Sequence, residues 1–186
     1  MSADLRALVR RRKPERRRAR LSPRPREALL HWADLPGGAP ALLLLDTTVY
    51  IHRAAGRLPA GLRDVIDRAP LFHCSVCLGE LAVGVANADP GHPSWPALRD
   101  HYAELFEAVP ASRLLTPDAT TWAEAGLLAG TLARTQGYER HRRKECLNDA
   151  LILLTAARAG LAVLTANRDD FDLLQQLAPE GRFVHY

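Results

Sequence analysis

The 186-residue sequence has no apolar run near the roughly 20 residues that a bilayer crossing requires; its longest are short stretches such as Ala41 to Leu45. A soluble protein is therefore expected. Cysteine is scarce: Cys74, Cys77 and Cys146 cannot pair fully, and no apolar targeting core follows Met1. Those absences point to a reducing cytoplasm rather than a disulfide-stapled secreted fold. The seven histidines are scattered, with no Ser-His-Asp order and no phosphate-cradling G-x-x-x-x-G-K loop, and there is no internal repeat. Acyl transfer by a serine triad and P-loop nucleotide binding lose their sequence basis. The length fits one domain of ordinary size, with room for an appendage but not for a second large domain.

Basic charge is plentiful and unevenly placed. Residues 1–26 hold 11 of the 25 Arg and Lys, from Arg6 to Arg26, against only Asp4 and Glu15. The remaining 14 basic and 19 acidic side chains give residues 27–186 a net charge of −5. The sequence thus divides into an Arg/Pro-rich extension over residues 1–40 and an acidic domain over residues 41–186. The extension repels itself and should be flexible or weakly helical, since short helices over Asp4 to Val9 or Arg26 to Trp32 need a partner. It is either a phosphate-neutralising arm or a passive solvated tail.

From Ala41 onward the pattern alternates. Apolar runs at Ala41 to Leu45, Leu71 to Ser75, Arg113 to Leu115, Leu161 to Thr165 and Arg182 to Tyr186 read as strands. Helices are expected over Ala60 to Arg68, Val76 to Ala86, Leu98 to Ala108, Pro117 to Gln136, Leu147 to Ala159 and Phe171 to Leu177. Gly137 to Glu145 reads as a polar, basic loop. Strands alternating with helices predict an α/β fold with a mostly parallel sheet between helical layers.

In such sheets functional groups collect at the carboxyl ends of strands. Asp46 ends the first strand, Asp149 stands near the start of the apolar helix, and Asn167, Asp169 and Asp170 follow the strand ending at Thr165. Glu80 is the only polar side chain from Val76 to Val85. A helix so apolar should be buried nearly all round, and its carboxylate should then require a positive partner or a metal. Singly, Asp46, Asp149, Asp169 and Asp170 are equally suited to turns and helix caps. Together, three or four converging carboxylates form a hard oxygen site suited to Mg²⁺ or Mn²⁺. That chemistry activates water and neutralises charge growing on a phosphate, which points to a nuclease.

These residues carry a resemblance. Leu44-Leu45-Asp46-Thr47-Thr48-Val49, Ser75-Val76-Cys77-Leu78-Gly79-Glu80-Leu81, Asn148-Asp149-Ala150-Leu151-Ile152 and Thr165-Ala166-Asn167-Arg168-Asp169-Asp170-Phe171 resemble PIN domains of the VapC-like toxin ribonuclease group. The resemblance implies a three-layer α/β/α sandwich and Mg²⁺- or Mn²⁺-dependent RNA cleavage by Asp46, Glu80 and Asp149. Asp170 would be the fourth acid, with Asn167 nearby and Asp169 outside, and Thr47 or Thr165 would orient a bound water. It also implies a homodimer and a small antitoxin protein as partner. The Arg-rich extension departs from that pattern. Because the domain is acidic, Arg140, Arg142, Arg143 and Lys144 are expected to hold the RNA. The rival readings are DNA cleavage, RNA binding without catalysis, and thiol redox chemistry at Cys74-Ser75-Val76-Cys77. Zinc held by His73, Cys74, Cys77 and Cys146 lacks a second close ligand pair.

Overall fold

The computed structural model describes residues 3–35 and 42–186; the Pro36 to Pro40 stretch and the boundary expected at Ala41 lie outside them. Five strands form one sheet: β1 (Leu43–Leu45), β2 (Leu71–Cys74), β3 (Leu114–Leu115), β4 (Ala162–Thr165) and β5 (Phe183–His185). Their spatial order is β3-β2-β1-β4-β5 and every pairing is parallel. The central strand β1 is Leu-Leu-Leu, buried at each position. A run of this kind suits a strand covered on both faces, so it reads without alternation.

Seven α-helices follow the first strand: α2 (Thr47–Ala54), α3 (Ala60–Arg68), α4 (Ser75–Asn87), α5 (Trp95–Ala108), α6 (Ala119–Gln136), α7 (Arg140–Arg158) and α8 (Arg168–Leu177). With the right-handed crossovers usual for parallel strands, the strand order assigns α2 to α5 to one face and α6 to α8, which pack on one another, to the other, giving the expected α/β/α sandwich. The chain leaves β1 toward β2 and later returns to the other side of β1 as β4. The junction between β1 and β4 is therefore the switch point at which such sheets open a crevice.

Local chemistry explains most boundaries. Asp118 caps α6 by accepting the Thr121 N–H at 2.7 Å, and Gly137, at φ 71°, ends it in the left-handed region that glycine tolerates. Helix α2 is not apparent in the sequence pattern because Thr47, Thr48 and Val49 are poor helix formers. Burial of Val49 and Tyr50 overrides that weak preference. Arg140 to Lys144 belong to the first turns of α7 rather than to a loop, since Arg, Lys and Glu sustain an exposed helix without apolar periodicity.

The N-terminal segment is not free. Helix α1 (Leu5–Arg12) lies against α6 with Leu8 buried. Arg11 and Arg12 both bond the carboxylate of Glu124, a buried residue of α6, with Arg12 Nε at 2.7 Å; Arg12 also reaches Glu180. Arg24 donates its backbone N–H and its Nε to fully buried Asp172 at 2.7 and 2.5 Å. The chain continues through buried Leu29, and the Leu30 carbonyl accepts the His185 N–H at 3.0 Å beside β5. Trp32 then covers α3 so closely that a Cβ on Gly61 would stand 2.8 Å from its ring. The self-repulsion expected of this segment is answered by acids of the domain itself.

Asp172 and Arg24 are unequal partners, because the aspartate is wholly buried while the Arg24 side chain remains 37% exposed. Removing the arginine strands a buried charge, whereas removing the aspartate's charge leaves a guanidinium that water can reach. Arg24→Ala should cost about 3 kcal/mol of stability and Asp172→Asn distinctly less, measured by urea unfolding of the full chain. Equal losses would show that stranded charge does not set the cost.

Candidate metal and nuclease site

Asp46 follows the last residue of β1, and its N–H donates to the Leu164 carbonyl of β4 at 3.0 Å. Its carboxylate is buried and accepts two hydroxyls, Thr48 at 2.6 Å and Thr165 at 2.8 Å. Each threonine also accepts a backbone N–H, Thr48 from Ala166 and Thr165 from Asn167. The two strand ends are thus stitched together around one carboxylate. Burial raises the Asp46 pKa, and the threonine hydrogen bonds only partly oppose it.

Asp149 is the tenth residue of α7, deep in the helix rather than near its start, and so it is not a cap. It is buried, and its Oδ2 accepts the Asn167 amide at 3.0 Å. The same amide reaches Asp170 at 3.0 Å, so Asn167 bridges the two acids. Burial first, then the charges of Asp46, Asp170 and Glu80, push the Asp149 pKa well above the ordinary carboxylate range. The four acids expected from the sequence therefore share one electrostatic neighbourhood. Asp169 stands apart, exposed and paired with Arg168 at 2.8 Å.

The expectations for Glu80 need correction. Within α4 only Cys77 and Leu81 are buried, and Val83 is 68% exposed, so this apolar helix lies on the flank of the domain. Glu80 has no cation among the described residues; it accepts the Thr47 hydroxyl and, at 2.7 Å, the Asn148 amide. Glu124 of α6 is instead the helix carboxylate that burial supplies with arginines, namely Arg11, Arg12 and Arg158.

Arg142 pairs with Asp170 at 2.7 Å, and its guanidinium lies over the Tyr138 ring, 5.2 Å from the centroid. Asp170 raises the Arg142 pKa. Arg140, Arg143 and Lys144 stand exposed beside it on the same first turns of α7. Thr48, Asn148 and Tyr138 are site residues that sequence reasoning missed. Thr48 and Asn148 adjoin candidate acids, but adjacency alone does not say which carboxylate a side chain will hold.

The rival cysteine site lacks access. Cys74 and Cys77 are fully buried, Cys77 contacts the Leu45 carbonyl, and His73 bonds the Tyr50 hydroxyl at 2.7 Å. Among the described residues, no three His, Cys, Asp or Glu side chains are already gathered to hold an ion. The donor chemistry nevertheless fits a hard divalent cation. Asp46, Glu80 and Asp149 are held only by neutral hydroxyls and amides, and among the described residues no Lys, Arg or His pairs with them. Side-chain rotation away from those neutral donors would present oxygens alone, the ligand set of Mg²⁺ and Mn²⁺.

The family model described as PIN domain matches residues 43–176. The fold is similar to FitAcB from Neisseria gonorrhoeae, with 22% identity over 77% of this chain and 96% of the other at TM-score 0.55. It is similar to VapBC2 from Rickettsia felis bound to a promoter DNA fragment, at 14% identity, 78% and 98% coverage and TM-score 0.54. It is also similar to VapBC-5, a toxin-antitoxin family member from Mycobacterium tuberculosis, at 24% identity, 79% and 100% coverage and TM-score 0.52. No curated protein matches this sequence.

A carboxyl whose folded-state pKa lies above its unfolded value costs stability as pH rises from the unfolded pKa, and the cost is complete above the folded pKa, because the folded state disfavours the charged form. Asp149 should therefore destabilise the metal-free protein at neutral pH, and the penalty should fade as pH drops through its raised pKa. In EDTA, Asp149→Asn should melt above the wild type at neutral pH, with the gap closing on acidification. A gap that widened toward acid would contradict this sign.

Proposed function

The chain belongs to the PIN domain family, and on that premise we propose that it is a divalent-metal-dependent endoribonuclease acting as the toxin of a toxin-antitoxin pair. The observation that carries the proposal is Asp149: buried, and in the field of Asp46, Glu80 and Asp170. Mg²⁺ or Mn²⁺ held by Asp46, Glu80, Asp149 and Asp170 would supply an activated water and neutralise charge developing on the phosphate. The protein's own part is positional. Thr48 and Thr165 fix Asp46, Asn167 ties Asp149 to Asp170, and Thr47 with Asn148 aims Glu80. Arg142, with Arg140, Arg143 and Lys144, offers positive charge at the rim for the phosphates of RNA.

Among the structural neighbours, VapBC-5 belongs to a toxin-antitoxin family and VapBC2 is bound to its own promoter DNA. By that likeness the proposed partner of this chain is a small antitoxin protein; that it covers the acid site and that the active form is a cytoplasmic homodimer extend the proposal from the motif resemblance to VapC-like toxins. No helix among the described residues is long and apolar enough to cross a membrane.

RNA should be cut in the presence of Mg²⁺ or Mn²⁺ and left intact in EDTA. Asp46→Asn and Asp149→Asn should each lower the rate by about 100-fold or more, and Glu80→Gln should do likewise without a change in fold. Wild-type rates in either aspartate variant would overturn the site, and cleavage of DNA in preference to RNA would move the proposal to a DNA nuclease. Expression alone should slow growth, and Asp46→Asn should abolish that effect. Undisturbed growth would remove the toxin role while leaving the nuclease.

A further inference from the structure

Docking divides the N-terminal arginines into two sets. Arg11, Arg12 and Arg24 are engaged with Glu124, Glu180 and Asp172. Arg17, Arg18 and Arg20 are exposed and, among the described residues, pair with no carboxylate; Arg16 has only exposed Glu15 at 3.9 Å. No acid interrupts the run from Arg16 to Arg20. The stabilising work of the segment is complete without these four, so their concentration has no internal explanation.

Their placement supplies one. At one end of the run the Pro14 carbonyl accepts from Arg134 at 2.8 Å, three residues before the Gly137 turn that leads into α7. At the other end the Ser22 carbonyl accepts from Gln176 of α8 at 3.1 Å. Residues 15–21 are thus carried from the end of α6 across to α8. The first turns of α7, with Arg140, Arg143 and Lys144 exposed, follow α6 directly, and Arg142 there touches Asp170 of the acid site. The Arg134–Pro14 hydrogen bond ties one end of the first basic run to the end of α6, the Gly137 turn leads from there into the second, and Arg142 links the second to the acids.

We infer that Arg16, Arg17, Arg18 and Arg20 form a fixed phosphate-binding track for single-stranded RNA, continued by the first turns of α7 toward the acid site. This rests on the nuclease reading for its substrate. A strand on the track meets its phosphate partners without the ordering cost of a free tail, because the arm is already held down by buried ion pairs. The track also answers an electrostatic difficulty. Residues 27–186 carry a net charge of −5 and the acid cluster repels phosphate, so the substrate needs an attractive surface outside the cluster.

The test uses the full chain in EDTA, where binding is read without cleavage, and a fluorescein-labelled, unstructured RNA of about 20 nucleotides. Fluorescence anisotropy is followed against salt for the wild type and for a variant with Arg16, Arg17, Arg18 and Arg20 all changed to Gln. The melting temperature should stay the same, since none of the four holds the fold. Affinity at low salt should fall at least tenfold, and the slope of log affinity against log salt should flatten by about 0.7 for each phosphate no longer neutralised. The four-Lys variant should keep most of the binding. An unchanged affinity and slope in the Gln variant would overturn the track, as would loss of duplex DNA binding with RNA binding intact. If the wild type binds RNA through these residues but cuts none when metal is added, the track stands and the nuclease reading falls.

Discussion

Uncompensated negative charge at the junction of β1 and β4 is the constraint around which the molecule is arranged. Parallel pairing brings Asp46 beside Thr165, and the following turns and α7 add Asp149 and Asp170. Carboxylates in one low-dielectric place repel one another, and a protein that sought stability alone would replace them or pair them. Here three of the four are given hydroxyls and amides, groups that orient a carboxylate without cancelling its charge. On the proposed reading, that arrangement leaves the charge for a bound cation to satisfy.

Elsewhere the same chain treats buried acids differently. Glu124 and Asp172 are more thoroughly buried than Glu80, yet each has arginine partners, and most of those arginines come from the N-terminal segment. The segment is thus part of the domain's electrostatic balance. Its apolar residues Leu8, Leu29 and Trp32 fasten it to α6, the main core and α3. Acids under the arm are paired with arginine, whereas Asp46, Glu80 and Asp149 have no cation partner among the described residues, and that contrast supports their proposed role.

Strand positions and the acids at their ends were legible because a doubly covered parallel strand is a continuous apolar run with function at its carboxyl end. Leu43–Leu45 followed by Asp46, and Ala162–Thr165 followed by Asn167, express that rule directly. Helix α2 was hidden because its β-branched start disfavours helix and only tertiary burial of Val49 and Tyr50 secures it. The docking of the arm was hidden for a related reason: a run of arginines looks self-repelling until acids distant in sequence, such as Asp172, are brought beside it. The misjudged surroundings of Glu80 came from equating an apolar helix with a buried one. An apolar helix at the edge of a sandwich can keep one face in water, as Val83 does.

Binding of a divalent ion by these carboxylates is the property on which the proposed chemistry most directly depends. Calorimetric titration of Mn²⁺ into the EDTA-stripped full chain at neutral pH should show saturable binding that weakens as pH falls, because protons compete for the same oxygens. Asp149→Asn should abolish it. Heat no larger than dilution up to millimolar Mn²⁺, or saturable binding that survives Asp149→Asn unchanged, would contradict the assignment of Asp46, Glu80, Asp149 and Asp170 as the metal site.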